Sequence, residues 1–155
     1  MKDFNGEIQY KGKSYKLVFN LNVMETIQEE YGSIDVWGEL TDGSEYAKRE
    51  YEKAIQSKKN ATPWNELSDA EKAKWSGEPD AKAIIFGFTE MINEGIDIEN
   101  DEKRAQGDAQ SLRPFITIKQ GGRLITEIGL EKATEKIHET VIESQHLDGE
   151  ESKNE

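Results

Sequence analysis

Residues Pro79 to Asn100 form the most hydrophobic window of an otherwise very polar chain. The pattern there is helical. Ala81, Ile84, Ile85, Phe88, Met91 and Ile92 recur at the spacing that puts side chains on one stripe of a helix. Pro79 followed by Asp80 reads as a helix start, because the Asp80 carboxylate can accept free backbone N–H groups of the first turn. Gly95 reads as the stop, being suited to the left-handed turn after a helix. The rest of the chain is expected to pack around this helix. Phe86 falls out of register: at ~100° per residue it points nearly opposite the stripe, among Lys82, Glu90 and Asn93. It either packs on a second internal surface, the ordinary use of an aromatic ring, or meets a partner.

The surroundings of that window bound the function. With 155 residues, one domain is expected, and with 34% hydrophobic and 34% charged residues its core is modest. A net charge of −12 argues against nucleic acid and against anionic membranes, both of which call for a basic surface. It suits a soluble protein or one that meets a basic partner. The chain has no cysteine, which excludes disulfides, thiol catalysis and cysteine-ligated metals. The first residues lack an apolar signal region and no stretch approaches the ~18 apolar residues of a membrane span, so a cytoplasmic protein is expected.

Elements follow from local pattern. Ile8 and Tyr10 alternate on one arm of a β-hairpin over Glu7 to Phe19, with Tyr15, Leu17 and Phe19 on the other and Lys11-Gly12-Lys13 as the turn. A lone hairpin is marginal in water and must lie on the helices. Asn20 or Asn22 caps the next helix, with Val23, Met24, Ile27 and Tyr31 inward and Gly32 as its stop. Ser33 starts a shorter helix bearing Val36, Trp37 and Leu40, closed by Thr41-Asp42-Gly43. Tyr46 to Lys59 carries a weak stripe of Ala47, Tyr51, Ala54 and Ile55, and Ser68-Asp69-Ala70-Glu71 is a capping box for a short helix ending near Trp75. Trp64 and Trp75 either anchor this helical pair to the main body or form a binding patch. Anchoring is favoured, since so small a pair needs its aromatic rings to bury anything.

Past the central window, Asp97 to Leu112 is polar and aperiodic and reads as a mobile loop. Thr117 caps a helix bearing Ile118, Leu124, Ile125 and Ile128. Gly121 and Gly122 within it point to close approach of another backbone, and Gly129 ends it. A last helix from about Leu130 turns Ala133, Ile137 and Val141 inward. The expected fold is mainly α with an N-terminal β-hairpin (α+β): a single domain over 1–145, with 44–76 a helical pair set on its surface, 99–112 a mobile loop and 146–155 a disordered acidic tail.

Chemistry is sparse. His138 and His146 belong to no metal or catalytic pattern, and His138 reads as a helix-surface residue. Asp97-Ile98-Glu99-Asn100-Asp101 is similar to the start of a calcium loop, but Glu102 stands where the sharp turn needs glycine and Asp108 where a bidentate glutamate is usual, so it reads as a solvated acidic loop. Gly121-Gly122-Arg123 lies inside a helical pattern and is no phosphate loop. The expectation is a binding protein without catalytic residues, cofactor or metal.

Three blocks in order carry a resemblance: Tyr31-Gly32-Ser33 through Trp37-Gly38-Glu39-Leu40-Thr41-Asp42-Gly43; Glu78-Pro79-Asp80-Ala81-Lys82-Ala83 through Glu94-Gly95-Ile96-Asp97-Ile98; and Arg113-Pro114 through Ile125-Thr126-Glu127-Ile128-Gly129-Leu130. Following a hairpin, they resemble the tail assembly chaperones of long-tailed phages and prophages of Gram-positive bacteria, over about two-thirds of the chain. The resemblance implies a small acidic helical protein of the host cytoplasm. It would bind the tape measure protein, recruit tail tube subunits and be absent from the mature virion. It also implies possible self-association and a longer frameshifted product, with which codons for Ser152-Lys153-Asn154 are compatible. Residues 44–76 stand where it expects a short link between Gly43 and Glu78. For partner binding it points to the apolar points Trp37, Phe86 and Phe115, whose alternative is a place in the core. The competing reading is a structural tail completion or connector protein.

Overall fold

The computed structural model describes residues 7–75 and 79–154; the side chains of Glu45 and of residues 146–154 are not described. The fold is mainly helical with an N-terminal two-stranded antiparallel hairpin. Strands β1 (Glu7–Tyr10) and β2 (Lys13–Lys16) pair with Ile8 opposite Tyr15. Only Lys11 and Gly12 make the turn, both at positive φ (50° and 76°), which matches the right-handed twist of the two strands. Helices α1 (Leu21–Tyr31), α2 (Ile34–Asp42), α3 (Ser44–Ile55) and α4 (Asp69–Ala73) follow, then α5 (Ala81–Ala105), α6 (Ile118–Ile128) and α7 (Leu130–Asn154). Asn20, Ser33, Ser68, Asp80 and Thr117 cap their helices through side-chain acceptors, and Ser68 and Thr117 complete reciprocal capping boxes.

Helix α5 is the hub. The hairpin, α1, α2, α6 and α7 all pack on it, and Ile84, Phe88, Met91 and Ile92 are fully buried in the main core. Neighbours approach where its side chains are small. The Trp37 indole lies against Gly87, and Trp37 Nε1–H donates to the Ala83 carbonyl at 3.0 Å. Thr89 meets Gly121 of α6, so the partner across this glycine is a side chain and not the backbone that the glycine pair led one to expect. On the other side of α5, the Lys16 carbonyl lies on Gly95 while Val18 N–H donates to the Met91 carbonyl at 3.1 Å.

Gly95 therefore does not end the helix. It sits in the helix interior, where the missing side chain admits the strand. The stop is Gly107, at φ 81°, closed by Gly107 N–H to the Arg104 carbonyl (3.0 Å) and Asp108 N–H to the Lys103 carbonyl (2.8 Å), the Schellman pattern. The expected mobile loop over 99–112 is corrected accordingly. Its first residues, to Ala105, are the last turns of α5, and Ala109–Ser111 form a 3₁₀ turn. The buried residues Ile96 and Asn100 continue the core stripe through it.

The 44–75 region folds as a small lobe. Helix α3 packs against α2, and Tyr51, 8% exposed, carries both tryptophans: Trp64 at 5.6 Å and Trp75 at 5.2 Å between ring centroids. The Tyr51 hydroxyl donates to the Thr62 carbonyl. Ala47 and Tyr51 lie outside the main core cluster, so the tryptophans anchor the lobe to itself and not to the body. Ser76 and Glu78, which close the expected insertion and open the second block, lie outside the described residues.

Helix α7 runs to Asn154 in place of the expected disordered tail. Ala133 and Ile137 bury its first turns in the core, and the helix continues through His146, Asp148, Gly149, Ser152 and Asn154 although these are weak helix formers.

Candidate partner-binding surface

Two asparagines organise one side of α5. Asn93 and Asn100 stand two turns apart on the face that also bears Thr89, and each amide pairs with an extended residue in both directions. Asn100 Nδ2 donates to the Arg113 carbonyl (2.9 Å) and its Oδ1 accepts from Arg113 N–H (2.9 Å). Asn93 Nδ2 donates to the Ile116 carbonyl (3.0 Å) and its Oδ1 accepts from Ile116 N–H (2.8 Å). A segment with no strand neighbour thus has its backbone satisfied by side chains. Pro114, which restricts Arg113 to extended conformations, fits this role.

The lashed segment displays apolar side chains. Ile116 packs against the core, while Phe115 is 55% exposed and Ile118, at the start of α6, is 50% exposed. The Arg113 side chain ties the segment to the hairpin. Its guanidinium lies 4.7 Å from the Tyr15 ring centroid, donates to the Ser14 carbonyl at 2.9 Å and pairs with Glu99 at 3.3 Å. A second junction lies beside the first: Asn20 and Asn22 of the α1 start both donate to the Glu94 carboxylate, at 2.7 and 3.1 Å. One turn earlier, Glu90 is held above the ordinary glutamate range by burial and then by the charge of Glu94.

The three residues singled out from the sequence part company here. Phe115 is displayed. Phe86 is half-buried, edge-on to Tyr31 at 5.6 Å, and packed against the core. Trp37 is 2% exposed, and this corrects its expectation as an exposed point: its indole is a core wedge between α2 and α5. Phe86 and Trp37 lie by the first turns of α5, at least ~10 Å along the helix from the clamp that holds Phe115. The sequence pattern sets Asn93 among the polar residues opposite the core stripe and Asn100 in a loop, and does not show that each holds a backbone residue of this segment.

Other candidate chemistry is also placed. His138 is half-buried with Nε2 3.3 Å from Thr41 Oγ1, whose hydroxyl donates to the Gly38 carbonyl at 2.9 Å. The side chain of His146 lies outside the described residues. Asp97 to Asp101 are wound in α5, which places their carboxylates around a helix and not about a loop centre. Among the described residues no group of three or more His, Cys, Asp or Glu is arranged to hold a metal ion, and no helix is long and apolar enough to cross a membrane. No protein-family model, curated protein or solved structure matches the chain.

Proposed function

We propose that this chain is a phage tail assembly chaperone: a binding protein of the host cytoplasm that holds the tape measure protein and recruits tail tube subunits, without catalysis. The observation that carries the reading is the joint behaviour of the three blocks that resemble this family. They pack on one another about α5, through Trp37 on Gly87, the Asp80 N–H to Leu40 carbonyl bond (2.8 Å) and Thr89 on Gly121. The third block then presents Phe115 on the segment held by Asn93 and Asn100, and Ile118 at the start of α6. A rigid apolar display on a strongly acidic body suits a protein that must hold an aggregation-prone partner and stay soluble itself.

The test is co-expression with the tail tube and tape measure proteins encoded nearby, followed by pull-down and by analysis of purified particles. The reading expects both partners to co-purify with the chain and the chain to be missing from finished particles. A chain that binds neither partner and is found in particles would instead be a tail completion or connector subunit.

A further inference from the structure

The register of the hairpin decides which groups of β2 face the body. Lys11 and Gly12 make the turn, so Tyr10 and Lys13 exchange their backbone bonds, and Ile8 and Tyr15 do so two residues further on. Ser14 and Lys16 therefore turn their carbonyls away from β1. Both carbonyls meet the body. That of Lys16 lies on Gly95, and that of Ser14 accepts from the Arg113 guanidinium. Among the described residues no third strand runs along this edge, and the Arg113 side chain stands where the ladder would continue.

Arg113 is held at both ends. Its backbone N–H and carbonyl are bonded to Asn100 of α5, each at 2.9 Å. Its guanidinium lies 4.7 Å from the Tyr15 ring centroid, 2.9 Å from the Ser14 carbonyl and 3.3 Å from Glu99. The guanidinium is planar and carries its donors in a fixed fork, so ring, carbonyl and carboxylate are met together only with the Arg113 backbone in place. The side chain is 23% exposed, which partly shields its stacking on Tyr15 from water. Phe115 follows two residues later on the same extended segment.

We propose that Arg113 is a positioning residue for the Phe115 surface. It couples the hairpin to residues 113–116, so that the two open as one unit and the order of the hairpin sets how firmly Phe115 is held out. Phe115 is what a partner meets, whereas the Arg113 guanidinium is turned to the hairpin. By linkage, an occupant that fixes the segment tightens the hairpin as much as an ordered hairpin tightens the occupant. In naming the surface that the coupling serves, the inference rests on the chaperone reading; the coupling itself is a property of the free chain.

The test is hydrogen exchange of the full ¹⁵N-labelled chain without a partner. Positions 8 and 15 report on the hairpin, and positions 113 and 116, whose N–H groups donate to Asn100 and Asn93, report on the segment. Phe88 and Ile92, buried in α5, show that each variant is folded. Tyr15→Leu removes the ring under the guanidinium and keeps an apolar side chain against the core. It should speed exchange at positions 113 and 116 about two- to tenfold. Arg113→Lys, which keeps the charge and loses the stacked plane, should do the same. In the other direction, Asn100→Ala should speed exchange at positions 8 and 15. Tyr15→Leu and Asn100→Ala combined should speed exchange by less than the product of their separate factors, because a link already cut has nothing more to transmit; contacts that are merely structural and independent would multiply. The proposal is overturned if Tyr15→Leu and Arg113→Lys leave the segment at its native rates, if Asn100→Ala leaves the hairpin at its native rates, or if the factors multiply. A chain that shows the linkage and yet binds no tape measure protein would support the coupling and contradict the chaperone reading alone.

Discussion

The indole of Trp37 occupies the space where a β-carbon on Gly87 would stand, with Cε2 at 2.8 Å and Nε1 at 2.9 Å from that position. This contact lets α2 sit against α5 closely enough for Trp37 to bond the Ala83 carbonyl. Gly87→Ala is therefore expected to destabilise the fold by about 1–3 kcal/mol through overpacking, despite alanine's better helix propensity. Urea unfolding followed by tryptophan fluorescence measures it. A midpoint equal to or above that of the native chain would contradict the contact.

The Asn100 clamp makes a second prediction. Asn100→Ala removes both partners of the Arg113 backbone and leaves an N–H and a carbonyl without bonds in a half-buried place. The expected loss is about 1–3 kcal/mol, accompanied by faster hydrogen exchange at Arg113. Asn100→Asp should keep the acceptor for Arg113 N–H and lose only the donor, so exchange there should remain slower than in the alanine variant.

Gly95 is a test of the strand contact. A β-carbon there would run into the Lys16 carbonyl. Gly95→Ala should push the strand from α5, and the Val18 amide, which donates to the Met91 carbonyl, should lose its exchange protection while α5 stays helical. If Gly95 were only a helix terminator, alanine would leave Val18 protected.

Glu90 gives a pH dependence. Its pKa is raised by burial first and by Glu94 second, so the charged form is the one the fold disfavours. The native state then binds the proton more tightly than the unfolded chain, and this carboxyl adds stability at low pH that is lost as pH rises through its folded-state pKa. Glu90→Gln should raise the melting temperature at neutral pH. The difference should vanish below about pH 4, where a free glutamate is itself largely protonated. A variant less stable than the native chain at neutral pH would contradict the assignment.

Much of the fold was legible because local chemistry and tertiary packing agree. The alternation of Ile8, Tyr10 and Tyr15 marks the hairpin, although β2 ends at Lys16 and the buried Leu17 and Phe19 follow it outside the strand; the caps at Ser33, Ser68, Asp80 and Thr117 stand where side-chain acceptors precede apolar periodicity. The failures have a common origin. Gly95 and Gly107 are the same residue type, and only the Lys16 carbonyl distinguishes an approach glycine from a stop. Asn100 is a core position wearing a polar side chain, so hydropathy read the end of α5 as loop. Trp37 fits its helix pattern equally well inside or outside, and the absence of a side chain at Gly87, far away in sequence, decides the matter. Of the surface itself, Phe115 was visible as an apolar point, but the asparagines that hold it out were not.

The central claim is that Phe115 and its lashed segment hold a partner. It is tested most directly by co-expressing the tape measure protein with the native chain or with Phe115→Ser and measuring the soluble fraction of the tape measure protein. Phe115 is 55% exposed, so the substitution should leave stability within about 0.5 kcal/mol. The account predicts that the native chain keeps the tape measure protein in solution and that the equally stable variant loses most of that effect. Equal solubility with the two chains, or precipitation with both, would contradict it.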